Sequence, residues 1–426
     1  MTRVWKGRDW PLLDPAIFAG ALLLYALAMP LGLARVEGAS QVAAGIALDT
    51  SIQPTFFALL AMRLGQFLPL GDTPLRANVV SGVLCALAIA LVARLCLMVC
   101  RLLRPPTNAR QEARDFAHEP IAATGAALAA AFSLSTFDLG ISAGSAAATL
   151  VVLAVALLPG FALLRDHNHA GAGYVLAGIA GLSAGVDPVA GPLLWPPLVG
   201  LAIWSLRKGA RWPLLAPLCF LVTWGASLLA SVAAASAPMG LAQFVSGVGR
   251  LGMHASGDVW ASALEMVDEV GVVGTLLAAI GVVVLATRAA VLTAWLALTV
   301  LTSLLFAHSM ERAASWAPTR AALPLAIAVT SVFACAGLLH VSSRLGRARM
   351  AATFALAAMI VLSPAMDSYR IRRRTSLPIR LLDRALFRAE VGSLVCPGTV
   401  EMDGLFHLAR AQGLRPDLEI GRCGGR

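Results

Sequence analysis

Runs of about 20 apolar residues recur along the whole chain, interrupted by short segments rich in Arg, Asp, Gly and Pro. Wound as a helix, such a run spans the hydrocarbon core of a bilayer, which is about 30 Å thick. Only a helix or a closed barrel satisfies its own backbone polar groups there, and continuous apolar runs fit the helix. Composition points the same way, with 58% hydrophobic residues, 13% charged residues and a mean hydropathy of +0.79. A soluble domain is about 25% charged. This chain cannot cover its surface with polar groups, which excludes an ordinary soluble enzyme, a disordered chain and a nucleic-acid-binding domain. The expected fold class is an all-α polytopic membrane protein.

About eleven spans are expected, some short enough to need flanking residues. Their cores are Ala16 to Leu33, Asn78 to Cys100, Ile121 to Leu134, Ala146 to Leu164, Gly173 to Val186 and Val189 to Leu206. The series continues with Leu214 to Ala235, Val270 to Ala286, Ala290 to Phe306, Ala322 to Leu339 and Arg349 to Leu362. The fifth and sixth are separated only by Asp187 and Pro188, with Pro192, Pro196 and Pro197 following, as two short broken helices would be. Ten or twelve spans are therefore also compatible with the sequence.

The net charge of +10 reads as topology. With the N-terminus cytoplasmic, the inner side collects Arg3, Lys6, Arg8, Arg101, Arg104, Arg165, Arg207, Lys208, Arg211, Arg288 and Arg344. The outer side collects most carboxylates, including Glu37, Asp138, Asp187, Asp258, Glu265, Asp268 and Glu269. Against this, eleven spans put the basic Arg370 to Arg374 cluster outside. Two outer segments exceed ordinary connections, 34–77 and 236–269. The first holds an apolar stretch from Thr55 to Leu70, expected as an amphipathic helix on the membrane surface. The domain reading is a transmembrane domain over 1–366 and a polar extracytoplasmic segment over 367–426.

Ionisable groups near a bilayer are costly, so each is a functional candidate. Glu37 and Arg35 lie just beyond span one, where an acid can deprotonate an acceptor hydroxyl and an arginine can hold a phosphate bidentately. A hydrated loop pair is the alternative. Asp138 and Asp187 fall in short outer turns, where capping a helix is the alternative role. His254, Asp258, Glu265, Asp268 and Glu269 read as a solvated loop without metal-ligand spacing, and no metal or cofactor is expected. Gly247, Gly249 and Gly252 form a literal GxGxxG, but no strand–turn–helix context surrounds it. Cys85, Cys96, Cys100, Cys219 and Cys335 fall in apolar runs as small hydrophobes. Cys396 and Cys423 lie in the tail, where an oxidising compartment would allow them to pair.

The stretch Phe67-Leu-Pro-Leu-Gly-Asp-Thr-Pro-Leu-Arg-Ala-Asn-Val-Val-Ser81 precedes an Ala/Leu span. It resembles the bacterial glycosyltransferase family 117 membrane proteins, related to the animal transmembrane protein O-mannosyltransferase of the GT-C superfamily. The order Glu37, Gln53-Pro54, helix, Arg76, Asn78 follows that family. Gly181-Leu-Ser-Ala-Gly-Val-Asp-Pro188 is similar to its "GL-x-x-x-HHP" segment. The tail from Pro397-Gly-Thr-Val-Glu-Met-Asp-Gly404 to Gly413-Leu-Arg-Pro-Asp-Leu-Glu-Ile420 resembles the start of its small extracytoplasmic α/β unit. There are departures. The family's acidic D-S-G-E appears as Val36-Glu-Gly-Ala-Ser40, the "HHP" pair has become Val186-Asp187, and Ser142 to Ala148 stands where an acidic E-V-Y is expected.

The resemblance implies a GT-C-like fold in a bacterial inner membrane. It also implies transfer of a sugar from a polyprenyl-phosphate donor to an extracytoplasmic protein or glycan acceptor. Carried onto this chain, Glu37 is the expected base, with Asp187 a second candidate. Arg35, Arg76, Arg250, Arg312 and Arg320 are candidates for the donor phosphate, because charge develops on the departing phosphate. The eroded acidic motif keeps a second class open, a catalytically inactive scaffold that binds a lipid or protein partner. A transporter or flippase is a third, weakened by the lack of an internal repeat.

Overall fold

The computed structural model describes residues 13–29, 42, 45–48, 56–71, 73–103, 118–142, 144, 146–186, 191–234, 259–313, 322–345, 348–374, 394–395 and 419–420. Thirteen α-helices are described. They are α1 (Leu13–Ala28), α2 (Phe56–Gly65), α3 (Thr73–Leu103), α4 (His118–Phe132), α5 (Leu134–Ile141), α6 (Ala146–Arg165) and α7 (Ala170–Val186). They continue as α8 (Trp195–Arg207), α9 (Trp212–Ala233), α10 (Val259–Arg288), α11 (Ala290–Ala313), α12 (Ala322–Ser343) and α13 (Arg349–Arg374). Each expected span core overlaps a helix. Seven of the described helices are long and apolar enough to cross a membrane, or eight if the bent pair α4–α5 is one span. Helices α1 and α2 and the apolar part of α7 are shorter apolar helices. The chain is thus helical and of multi-pass membrane type.

Helix α12 is the axis of the bundle. Every residue of its apolar window is buried, and it packs against α3, α4, α10, α11 and α13. Its closest neighbour is α10. A Cβ on Gly281 would lie 1.9 Å from the Phe333 carbonyl oxygen, and one on Gly337 would lie 1.9 Å from that of Leu277. Lipid tails give helices no hydrophobic reason to associate, so backbone contact through small residues does that work. The buried, free thiols Cys100 and Cys335 meet across α3 and α12 with sulfurs 3.5 Å apart.

Two helices depart from straight spans. Gly271, at φ 75° and ψ 162°, divides α10 into an initial segment and an apolar run that fits the expected span from Val270. Residues 259–269, read from sequence as part of a solvated outer segment, are therefore helical. Helix α8 has 13 residues and is preceded by a 3₁₀ turn, Gly191–Leu194. At about 20 Å it is shorter than the hydrocarbon core, as the proline-rich hairpin predicts.

Alternating helix directions collect the basic residues Arg165, Arg207, Lys208, Arg211, Arg288 and Arg344 at one end of the bundle. There the Arg288 guanidinium donates to the Leu103 carbonyl, tying α10 to α3. Helix α13 continues past Met366, where its apolar window ends, to Arg374. Beyond it, the strands Leu394–Val395 and Glu419–Ile420 pair in parallel. A parallel pair needs a connection of a dozen or more residues, which the intervening chain supplies.

Candidate functional site

The polar concentration lies at the end opposite the basic turns, where α4 breaks into α5 with a bend of 71°. Ser133 makes the break. Its backbone is extended at φ −59° and ψ 141°, and its hydroxyl hydrogen-bonds to the Ala130 carbonyl at 2.8 Å and to Thr136 Oγ1 at 2.9 Å. A serine at a helix start ordinarily accepts from the second or third N–H of that helix. Here the Ser133 side chain makes no such cap.

Glu269 takes its place. One carboxylate oxygen accepts from the Ser135 backbone N–H at 2.9 Å and from the Ser135 hydroxyl at 2.7 Å. The acid comes from the last turn of α10 before Gly271 and is buried. A buried carboxylate is tolerated where it is hydrogen-bonded, and the start of a helix favours negative charge. Asp138, also buried, lies one turn further along α5, and both Asp138 and Glu265 are close enough to repel the Glu269 charge.

The surrounding contacts are tight. Ser142 donates to the Asp138 carbonyl at 2.6 Å and ends α5. Ser81 of α3 accepts from the Gly144 N–H at 3.2 Å. A Cβ on Gly140 would lie 2.6 Å from the Tyr25 ring, so glycine lets α1 and α5 touch. Tyr25 is itself buried and tilted against Phe137, with ring centroids 6.2 Å apart.

Arg76, the sequence-predicted site residue whose side chain is described, stands on the first turn of α3. Its guanidinium donates from Nε to Leu70 O at 2.7 Å, from Nη1 to Gln66 O at 3.0 Å and from Nη2 to Gly71 O at 3.2 Å. It clamps the turn between α2 and α3, leaving part of its five-donor fork for another acceptor. Arg312 falls on the last turn of α11, where the helical backbone is described. Glu37, Asp187, Arg35, Arg250 and Arg320 lie outside the described residues, as do Gly247, Gly249, Gly252, Cys396 and Cys423.

Two sequence readings change. Asp138 is a buried member of α5 and not a turn residue, because the chain bends at Ser133 instead of after it. Glu269 is a buried helix-capping acid and not part of a solvated loop. The signal for both was the Ser133-Leu-Ser-Thr136 cluster interrupting an apolar run, together with an acid two residues before a glycine. Among the described residues no group of three or more His, Cys, Asp or Glu side chains could hold a metal ion. No protein-family model matches the chain, and a search of curated proteins finds no match.

Proposed function

We propose that this chain is a GT-C-like membrane glycosyltransferase, which takes a sugar from a polyprenyl-phosphate donor and passes it to an extracytoplasmic protein or glycan. The observation that carries the reading is the break at Ser133. It gathers the buried carboxylates Asp138 and Glu269 at the end of the bundle opposite the basic turns. The ordered motifs from Arg35 to Ile420 and the parallel pair in the tail support the same reading. The positive-inside rule favours a cytoplasmic side for the basic turns and an outer side for Asp138 and Glu269, with the Arg370 to Arg374 end of α13 as the one basic cluster that runs against it.

The chemistry needs an acid facing the acceptor and cations facing the donor phosphate. The acceptor oxygen attacks the anomeric carbon as the bond from that carbon to the phosphate oxygen breaks. The hydroxyl proton passes to a carboxylate, and polyprenyl phosphate leaves. Glu37 is the proposed base, with Asp187 second. Arg35, Arg76, Arg250, Arg312 and Arg320 are the proposed phosphate cations. Glu269 holds α5 in place through Ser135.

A specific observation favours a second reading, a lipid-binding scaffold without turnover. Both Arg76 and Glu269 are engaged by the chain's own backbone. Purified full-length protein in nanodiscs, incubated with a panel of radiolabelled polyprenyl-phosphate hexoses and acceptor peptides, separates the two. The transferase reading expects label in the acceptor and a loss of about 10²–10⁴-fold in Glu37→Gln. Donor binding without transfer across the whole panel overturns it, whereas full activity in Glu37→Gln overturns the assignment of Glu37 as the base.

A further inference from the structure

We propose that the turn between α8 and α9 seats the headgroup of an anionic phospholipid, with the acyl chains lying on the two helices it joins. The turn lies at the basic end of the bundle, away from the candidate site.

Arg207, Lys208 and Arg211 all stand exposed within five positions of each other. Gly209, at φ +85°, closes the turn tightly. The Lys208 N–H is tied to the Ser205 carbonyl at 3.1 Å, and the Ala210 N–H to the same carbonyl at 3.0 Å. The backbone is thereby consumed in ending α8, while the three cationic side chains remain outside. Helix α9 then starts at Trp212 without a side-chain cap, so the positive end of its dipole faces the same turn. At the two ends of the turn, Ser205 Oγ and Trp212 Nε1 are buried and have no hydrogen-bond partner.

The neighbouring turn adds to the charge. The His167 ring meets Trp204 edge-on with centroids 6.0 Å apart, bringing the α6–α7 turn against α8. That turn contributes Arg165 and Asp166. Asp166 Oδ1 accepts from the Asn168 N–H at 3.1 Å, so the one carboxylate is occupied locally. Four cations against one carboxylate leave a net +3 over the pair of turns.

Below the charge, each helix presents an exposed apolar stripe that ends at the turn. On α8 it is Val199, Ile203 and Leu206; on α9 it is Leu214, Leu218 and Val222. The spacings of three and four residues keep each stripe on one helix face. Two apolar tracks converging on a trio of cations match a diacyl lipid with an anionic head. Juxtamembrane Lys and Arg attract such lipids.

The test uses full-length protein in phosphatidylcholine nanodiscs doped with phosphatidylglycerol, followed by native mass spectrometry of retained lipid. Wild type is expected to retain phosphatidylglycerol over phosphatidylcholine. Each of Arg207→Gln, Lys208→Gln and Arg211→Gln is expected to weaken retention about fivefold, and the triple variant about a hundredfold. Arg344→Gln, an exposed cation at the same end, is expected to leave retention unchanged. Arg207→Lys/Arg211→Lys, which keeps the charge, is expected to keep the preference and so controls for folding. The proposal is overturned if wild type shows no preference for phosphatidylglycerol. It is equally overturned if Arg344→Gln costs as much as the single turn variants, since the effect then belongs to the whole basic end.

Discussion

Helices α9 and α12 are both 22 residues long and both apolar enough to span a bilayer, yet the bundle treats them oppositely. The whole apolar window of α12 is buried, against 22% of that of α9. The difference lies in surroundings: α12 is enclosed by α3, α4, α10, α11 and α13, whereas α9 packs chiefly on α7. Helix α12 carries Ala326, Ala328, Ala334, Ala336 and Gly337 along its length, which let neighbouring backbones approach. Helix α9 carries Leu214, Leu215, Leu218, Leu221 and Leu229, all turned outward. In lipid an outward leucine costs nothing, because the tails are as apolar as the side chain. Both helices carry alanines and a glycine, so the packing around α12, and not its composition, makes it the axis.

The strongest way to break this contrast is Gly281→Val at the α10–α12 crossing. The added Cβ meets a carbonyl at 1.9 Å, and separating the helices is expected to cost about 3 kcal/mol or more, read as loss of the thermal transition in detergent. An unchanged melting profile would remove the glycine contact as the organising feature. Next comes Glu269→Ala, which strips the cap from α5 and leaves the half-buried Ser135 N–H without its carboxylate acceptor. A loss of about 1–3 kcal/mol is expected, with Glu269→Gln losing less because an amide oxygen still accepts. Equal losses in the two variants would argue against the hydrogen bond as the cause.

Gly140→Ala tests the same end more gently. Its methyl would press on the Tyr25 ring at 2.6 Å, for an expected loss of about 1–2 kcal/mol that Tyr25→Leu partly restores. Strictly additive losses in the double variant would show that the two side chains do not meet. The smallest effect is expected on α9, where Leu218→Ala should shift stability by less than about 0.5 kcal/mol. A larger loss would mean that this face is covered by protein and not by lipid, and would erase the contrast with α12.

Much of the architecture was legible because spans are set by one local quantity, the length of an apolar run. Every expected core overlaps a helix, and the short α8 follows from its prolines. The candidate site was legible only in part. Arg76 was singled out for its charge, but its bonds to Leu70, Gln66 and Gly71 depend on how the turn before α3 folds back. Glu269 was grouped with a polar loop because its sequence neighbours are polar. Its actual partner, Ser135, is 134 positions away.

Sequence alone determined that this chain is of helical, multi-pass membrane type and where its apolar runs and basic turns lie. Those properties follow from composition within windows of about 20 residues, where the bilayer acts as a uniform solvent. Sequence did not fix the number of crossings, since the eleven expected cores meet seven or eight described helices long enough to span. Tertiary structure decided which helix is the axis, where α4 breaks to make room for two buried carboxylates, and which acid caps α5. Those depend on backbones that approach within a few ångströms across long stretches of chain, and no local pattern encodes a distance between residues so far apart in sequence.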